Sequence, residues 1–212
     1  MKKIIIAGFC VLALSVGCKK EDNVSRVVNA TGPVVTLKGD KFISIPVGGT
    51  YADPGASVFD DFTNQTTDVS ADVNTLDAST PGLYYMEYTA KNANGYVTSA
   101  ARYIAVTNWA GTANLDGNYK RTSNGVTVKL NKKANGLYMV TDMGGANIPN
   151  DKIYFTVVND TTINVGPQYS ETIGAEIEGT NSKLHMAPTD TSFTYVLHAP
   201  GYGTSQRKFV KQ

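Results

Sequence analysis

Apolar and polar side chains alternate in short runs after residue 32, and nowhere in this part of the sequence do apolar residues recur at helical spacing. The clearest run, residues 83–90, puts Tyr84, Met86, Tyr88 and Ala90 on one face and Tyr85, Glu87 and Thr89 on the other. Asn and Gly at residues 92–95 can turn the chain, and residues 97–107 then return with Ile104 and Val106 facing inward. The pattern predicts a half-buried hairpin in an all-β fold.

The second half of the chain is punctuated by two Asn-Gly pairs, Asn124-Gly125 and Asn135-Gly136. Such pairs are typical of tight turns between antiparallel strands. Alternation continues through three later runs, with Ile153, Phe155 and Val157, then Ile173, Ala175 and Ile177, then Phe193, Tyr195 and Leu197. Roughly eight short strands in about 100 residues favour a small antiparallel β-barrel-like domain, which we place at residues 111–212.

The N-terminal segment has the pattern of a secretion signal. Two lysines precede an apolar run at residues 4–16, which is too short to span a bilayer of roughly 30 Å. Gly17-Cys18 ends the run and resembles a lipobox, in which the bond before the cysteine is cut and the cysteine is lipidated. The sequence predicts a signal peptide at 1–17, lipid attachment at Cys18 and a flexible linker at 18–32. The alternative is an ordinary secretion signal that happens to contain a cysteine.

The residues after Cys18 bear on location. Lys20-Glu21-Asp22 resembles the short acidic export signal of surface lipoproteins in the Bacteroidota. The resemblance implies a protein anchored by lipid in the outer membrane and facing the cell exterior. A charged linker on a periplasm-facing protein is the alternative.

Charge and cysteine content exclude several classes of partner. Removal of residues 1–17 removes two lysines and leaves 17 basic and 18 acidic side chains, a net charge of −1. The remaining basic residues are scattered, which argues against nucleic acid. Cys10 lies in the signal and Cys18 carries the lipid, so the folded part is expected to have no disulfide or thiolate site.

No metal or other cofactor is expected. The acidic stretch between Asp53 and Asp72 matches no calcium-loop spacing. Asp53 stands before Pro54-Gly55, and we interpret it as a turn former.

Residues 33–107 contain three segments with a family resemblance: residues 33–40 (PVVTLKGD), 51–56 (YADPGA) and 79–84 (STPGLY). In this order they resemble the bacterial immunoglobulin-like (Ig-like) domains of the pesticidal crystal protein type. The resemblance implies an Ig-like β-sandwich that acts as a rigid spacer or adhesion module. The family's Asp-Gly-rich turn is absent here, because residues 60–65 lack the glycine.

Residues 115–119 (LDGNY) and 136–145 (GLYMVTDMGG) carry a second resemblance, to a C-terminal lipocalin-like β domain of Bacteroides surface lipoproteins. This resemblance implies an accessory component of glycan uptake. The partners it implies are the membrane, through the lipid, and a polysaccharide or an outer-membrane protein complex.

Catalytic patterns are weak in the sequence. His185 and His198 alternate away from apolar faces, so we expect them to face solvent. The folded part contains no His-Glu-x-x-His, Gly-x-Ser-x-Gly or cysteine nucleophile. Glu176 and Glu178 share the polar face of one predicted strand. We therefore predict a non-enzymatic protein, with a hydrolase as the disfavoured alternative.

Three aromatic residues are candidates for sugar binding: Tyr169, Tyr202 and Trp109. Tyr169 follows Pro167, and Tyr202 lies within Pro200-Gly201-Tyr202-Gly203, so both are predicted in loops. An exposed ring can stack on the apolar face of a sugar. The alternatives are that the tyrosines pack in the core and that Trp109 locks two domains together, which would leave adhesion or surface scaffolding as the function.

Overall fold

The computed structural model describes residues 31–111, 113–170 and 172–212, and these residues form strands and loops without a helix. The all-β prediction is confirmed. The predicted signal peptide, Cys18 and the linker as far as residue 30 lie outside the described residues. Within the described ranges, no helix is long and apolar enough to cross a membrane. Residues 31–212 form one compact unit, so the limits at 33–107 and 111–212 stay predictions.

The first seven strands build a β-sandwich. They are β1 (Val34–Leu37), β2 (Phe42–Ile45), β3 (Ala56–Asp60), β4 (Gln65–Val69), β5 (Val73–Asn74), β6 (Gly82–Lys91) and β7 (Val97–Val106). A three-stranded sheet has the order β1-β3-β4, and a four-stranded sheet has the order β2-β7-β6-β5. The predicted hairpin is the antiparallel pair β6–β7, and β2 runs parallel to β7 on its other side.

The remaining strands close into an antiparallel barrel. They are β8 (Gly117–Arg121), β9 (Thr127–Ala134), β10 (Leu137–Val140), β11 (Ile153–Asn159), β12 (Thr162–Ser170), β13 (Ala175–His185), β14 (Ser192–His198) and β15 (Gln206–Lys211). Each strand pairs with its neighbour in sequence, and β15 pairs with β8 to complete the ring. The architecture fits the lipocalin-like form that the resemblance implies.

Aromatic side chains fill the barrel interior. Phe193 lies at the centre, with ring centroids 5.0 Å from Tyr119, 5.5 Å from Phe155 and 4.9 Å from Phe209. These four side chains are at most 1% exposed. An eight-stranded barrel is just wide enough for side chains to fill it. The interior is therefore a packed core, and a ligand site has to be sought on the outside.

The four-stranded sheet is buried on both faces over part of its area. One face carries Tyr88, Ile104 and Val106 into the sandwich core. The other face was expected to meet solvent, but Tyr85 and Tyr103 are 6% and 5% exposed. The half-buried prediction is wrong there, because that face packs on barrel residues Leu137, Met139 and Tyr154.

Close contacts fix the sandwich against the barrel. The Tyr103 and Tyr154 rings stack with centroids 4.2 Å apart. The Leu83 amide donates to Asn164 Oδ1 at 2.8 Å, and Thr107 Oγ1 donates to the Val157 carbonyl at 2.7 Å. Gly166 permits the approach, because a Cβ there would lie 2.5 Å from the Leu83 carbonyl oxygen.

An arginine is fully buried in the sandwich. Arg102 is 0% exposed, and its guanidinium bonds to the Asp53 carboxylate, to Tyr88 Oη at 2.8 Å and to the Asp40 carbonyl at 3.0 Å, with a further bond to the Lys38 carbonyl. Tyr88 Oη also donates to Asp53 Oδ1 at 2.5 Å. The interpretation of Asp53 as a turn former therefore missed its main contact, which is an ion pair in the core.

The other aspartates of the acidic stretch have separate protein partners. Asp60 accepts from the Phe62 amide, Asp61 from Thr31 Oγ1 and Asp72 from the Thr89 amide, while Asp68 pairs with Lys38.

The Gln168 side chain supplies hydrogen bonds where the backbone pairing of β11 with β12 has ended. Backbone pairing between β11 and β12 runs from Asn159–Thr162 to Thr156–Asn164 and does not reach Tyr154, and Pro167 on β12 has no N–H to offer. The Gln168 side chain bends back to β11, where Oε1 accepts from the Tyr154 amide at 2.8 Å and Nε2 donates to the Tyr154 carbonyl at 2.9 Å. The side-chain amide thus takes the place of a backbone partner.

Replacing Gln168 with leucine is expected to lower the free energy of unfolding by about 2–4 kcal/mol, because two buried backbone groups of Tyr154 lose their partners. Urea denaturation measures the change. Gln65→Leu is the control, since Gln65 is exposed on β4. Equal stability of the two variants would show that the Gln168 bonds do not hold the barrel together.

Candidate functional site

A surface groove runs between the sandwich and the barrel, and we call it the junction groove. Its larger lobe, about 430 Å³, is lined by Glu87, Val97, Ser99, Ala100, Ala101, Tyr103 and Tyr169. Its smaller lobe, about 100 Å³, is lined by Lys41, Tyr103, Asn150, Lys152, Tyr154, Tyr169, Ser170 and Thr172. Tyr103 and Tyr169 belong to both lobes, so these two rings mark the middle of the groove.

The position of Tyr169 follows from the irregular stretch of β12. Gln168 turns inward to bond Tyr154, and the alternation of the strand then sends Tyr169 outward, where it is 39% exposed. The sequence predicted Tyr169 in a loop after Pro167. That prediction is wrong, because β12 continues to Ser170 and pairs Tyr169 with Glu176 of β13.

The stacked rings of Tyr103 and Tyr154 form an aromatic wall of the smaller lobe. Phe42 lies beside the stacked Tyr103 and Tyr154, with its ring centroid 5.4 Å from that of Tyr154 and 6.0 Å from that of Tyr103. The ammonium groups of Lys41 and Lys133 lie 5.9 and 5.7 Å from the Phe42 centroid. At these distances a ring attracts a cation.

The two ends of the groove carry opposite charge. Glu87 lines the larger lobe, while Lys41 and Lys152 line the smaller one. Glu176 lies close to the sandwich, since its Oε2 accepts from Tyr85 Oη at 3.3 Å. Burial of the phenol, assisted by the negative charge of Glu176, raises the pKa of Tyr85. Sequence reasoning missed the lysines, because residues 41 and 152 come together only in the fold.

Tyr202 lies in the loop between β14 and β15, as predicted, but its ring is packed against the barrel. Its hydroxyl donates to Asp151 Oδ2, and the Arg207 guanidinium lies 5.8 Å from the ring centroid. A Cβ at Gly144 would lie 2.1 Å from Tyr202 Cε1, so the glycine makes room for the ring. Burial and the bond to Asp151 raise the pKa of Tyr202. Tyr202 and Tyr169 line no common cavity among the described residues, and the contacts of Tyr202 are those of a packing residue.

Trp109 packs into the barrel core. It is 8% exposed and belongs to the barrel core, where it meets Tyr138 edge-on at 6.5 Å. Its Nε1 donates to Asp160 Oδ1 at 2.9 Å. The ring has little free face for a sugar, and the contacts of the ring given above are with barrel residues, so a lock between sandwich and barrel stays a prediction.

His185 and His198 are exposed on the outside of the barrel, as predicted. His198 Nε2 lies 2.7 Å from Thr180 Oγ1, and His185 Nε2 lies 3.8 Å from Asp190. Neither histidine is among the residues that line the junction groove.

Solved structures that resemble most of the chain include the following two. One is a lipoprotein from Bacteroides thetaiotaomicron, with 22% identity, 85% of this chain and 100% of that chain covered, and a TM-score of 0.35. The other is a structure of CBM51-2 in complex with GlcNAc and INT domains from Clostridium perfringens ZmpB, with 10% identity, 84% of this chain and 43% of that chain covered, and a TM-score of 0.27. Both TM-scores are too low for an argument about this chain.

No curated protein matches the chain. Residues 35–106 match the family described as bacterial surface protein, Ig-like domain. The match confirms the Ig-like expectation for this part of the chain and indicates a cell-surface protein. The sandwich is a bacterial surface-protein Ig-like domain.

Proposed function

We propose that this protein is a non-enzymatic lipoprotein, anchored through Cys18 in the outer membrane and facing the cell exterior, whose junction groove captures a polysaccharide. The exposed ring of Tyr169, which borders both lobes of the groove, carries the proposal. The Ig-like family match supports the surface location.

The groove has the chemistry that sugar binding needs. A tyrosine ring offers an apolar face for stacking and a polar edge, and nearby hydroxyl and amide groups can bond sugar hydroxyls. Ser99 lies in the larger lobe, and Asn150, Ser170 and Thr172 lie in the smaller one. The larger lobe, about 430 Å³, is within the range of small-molecule sites.

Capture without hydrolysis is supported by the lining. A glycosidase of the common type needs a pair of carboxyl groups on either side of the scissile bond. Among the described residues that line the junction groove, Glu87 is the one carboxylate.

The test is affinity electrophoresis of the protein against plant, host and microbial polysaccharides. We expect one polysaccharide to retard the protein, and Tyr169→Ala to weaken that binding by about tenfold, because the stacking surface is lost. Phe62→Ala is the matched control, since it removes a ring that is 65% exposed in the turn between β3 and β4. Equal loss in both variants, or none in Tyr169→Ala, would contradict the assignment of the groove.

Adhesion or scaffolding is the second candidate, and an apolar patch on the three-stranded sheet favours it. Val34 and Phe59 are directly paired across β1 and β3 and are 56% and 39% exposed, with Phe62 in the next turn. Exposed apolar clusters commonly mark contact surfaces. Failure of every polysaccharide to retard the protein would favour this candidate over glycan capture.

A further inference from the structure

We infer that the smaller lobe of the junction groove binds the anionic group of an acidic saccharide, a carboxylate or a sulfate ester. The inference rests on the proposed function and names the class of glycan. Its basis is the pair Lys41 and Lys152, which line this lobe together with the polar side chains of Asn150, Ser170 and Thr172.

The lysines of this lobe have no counter-ion among the residues that the structure describes. Among the described residues, neither Lys41 nor Lys152 forms an ion pair, and the same holds for Lys133 beside Phe42, whereas Lys38 pairs with Asp68. The carboxylate next in sequence to Lys152, that of Asp151, is buried and accepts from Tyr202. The positive charge is therefore available to a ligand.

The Phe42 ring helps to keep the Lys41 ammonium group in place. The Lys41 ammonium lies 5.9 Å from the Phe42 ring centroid, so cation–π attraction helps to hold Lys41 beside the lobe without neutralising its charge. Thr172 Oγ1 donates to the Asn150 carbonyl at 3.0 Å, which ties the two loops on that side of the lobe. The ammonium groups, the Ser170 hydroxyl and the Asn150 side-chain amide are donors that suit an anion with several acceptor oxygens.

The sizes and charges of the two lobes predict how a saccharide would be oriented in the groove. The smaller lobe, about 100 Å³, has room for an anionic substituent, and the larger lobe for the sugar rings. Glu87 in the larger lobe repels a second anion at that end. A saccharide would thus stack on Tyr169 and point its acidic group toward Lys41 and Lys152.

The experiment measures affinity of the detergent-solubilised full-length protein by calorimetry for pairs of glycans that differ only in charge. Oligogalacturonate is compared with its methyl ester, and dextran sulfate with dextran, so that carboxylate and sulfate are tested separately. Any polysaccharide that retards the protein in the electrophoretic screen is also compared in an acidic form and a matched neutral form. We expect one acidic form to bind more tightly than its neutral partner, with binding that weakens as salt rises.

The double variant Lys41→Gln/Lys152→Gln is expected to lose about two- to fivefold in affinity for each lysine and to lose the preference for the acidic form. Lys120→Gln/Lys208→Gln removes the same charge from β8 and β15, where both lysines are exposed and β15 lies four strands from β11 around the ring. This control is expected to bind like the parent protein.

The outcomes separate the two proposals. Equal binding of acidic and neutral forms, or equal losses in the two double variants, would overturn the inference and leave glycan capture intact. Absence of binding to every acidic and neutral glycan would overturn both. A preference for the carboxylate or for the sulfate form identifies the anion.

Discussion

Replacing Arg102 with methionine is expected to lower the free energy of unfolding by about 3–5 kcal/mol, because the change leaves Asp53 without its buried partner. The side chain of Arg102 is 0% exposed and that of Asp53 is 21% exposed, so water cannot take over all the lost bonds. The carbonyls of Lys38 and Asp40 lose a donor as well. For a domain of this size, the melting temperature should fall by roughly 10 °C.

Chemical denaturation with urea measures the Arg102→Met effect, and Lys91→Met provides the control. Lys91 is exposed at the end of β6, and its loss should change stability by less than about 0.5 kcal/mol. Asp53→Asn keeps an acceptor near Arg102 but removes the charge, so its effect isolates the electrostatic part. A loss of under about 1 kcal/mol in Arg102→Met would mean that the sandwich does not depend on this ion pair.

Replacing Cys18 with serine is expected to abolish lipid attachment and to release the protein from the membrane fraction. Serine has no thiol to accept the diacylglycerol, and one acyl chain alone gives only marginal binding, whereas two or three hold firmly. Labelling of cells with radioactive palmitate, followed by fractionation, measures both effects. The precursor should also keep residues 1–17 and therefore run at a higher apparent mass.

Cys10→Ser is the matched control for Cys18→Ser, because Cys10 is the other cysteine of the chain and lies inside the predicted signal. This variant should be labelled and fractionate like the parent. Palmitate labelling that persists in Cys18→Ser would contradict lipidation at this position. Protease digestion of intact cells tests export of the Cys18→Ser protein. An exported protein is digested, whereas a retained protein is protected.

Period-two alternation and Asn-Gly turns were enough to predict the all-β class, the hairpin β6–β7 and the barrel-like second half. These signals are local, since strand faces and tight turns depend on neighbouring residues. The burial of Tyr85 and Tyr103 was not predictable in this way. It arises from contact with barrel residues such as Tyr154 that are distant in sequence.

The candidate site was predicted only in part. Tyr169 was singled out as an aromatic residue, but its setting was wrong, because Gln168 lets the strand continue past Pro167. The signal for Arg102 was present, since it shares the inward alternation of Ile104 and Val106 on β7. The smaller lobe had no such signal, because its lysines come from the sandwich and the barrel and meet only at the junction.

The junction groove lies on a strand that would carry mechanical load from a bound polymer. Ser99, Ala101 and Tyr103 of β7 line the groove, and at the turn of the β6–β7 hairpin Asn92 Nδ2 donates to the Thr31 carbonyl at 2.9 Å, where the chain enters the sandwich. A long polymer held in the groove and dragged by fluid flow would pull on hydrogen-bonded strands that lead directly to this entry point. Tension would pass from the groove to Thr31 along a stiff antiparallel hairpin, so the sandwich itself would carry this load through paired strands.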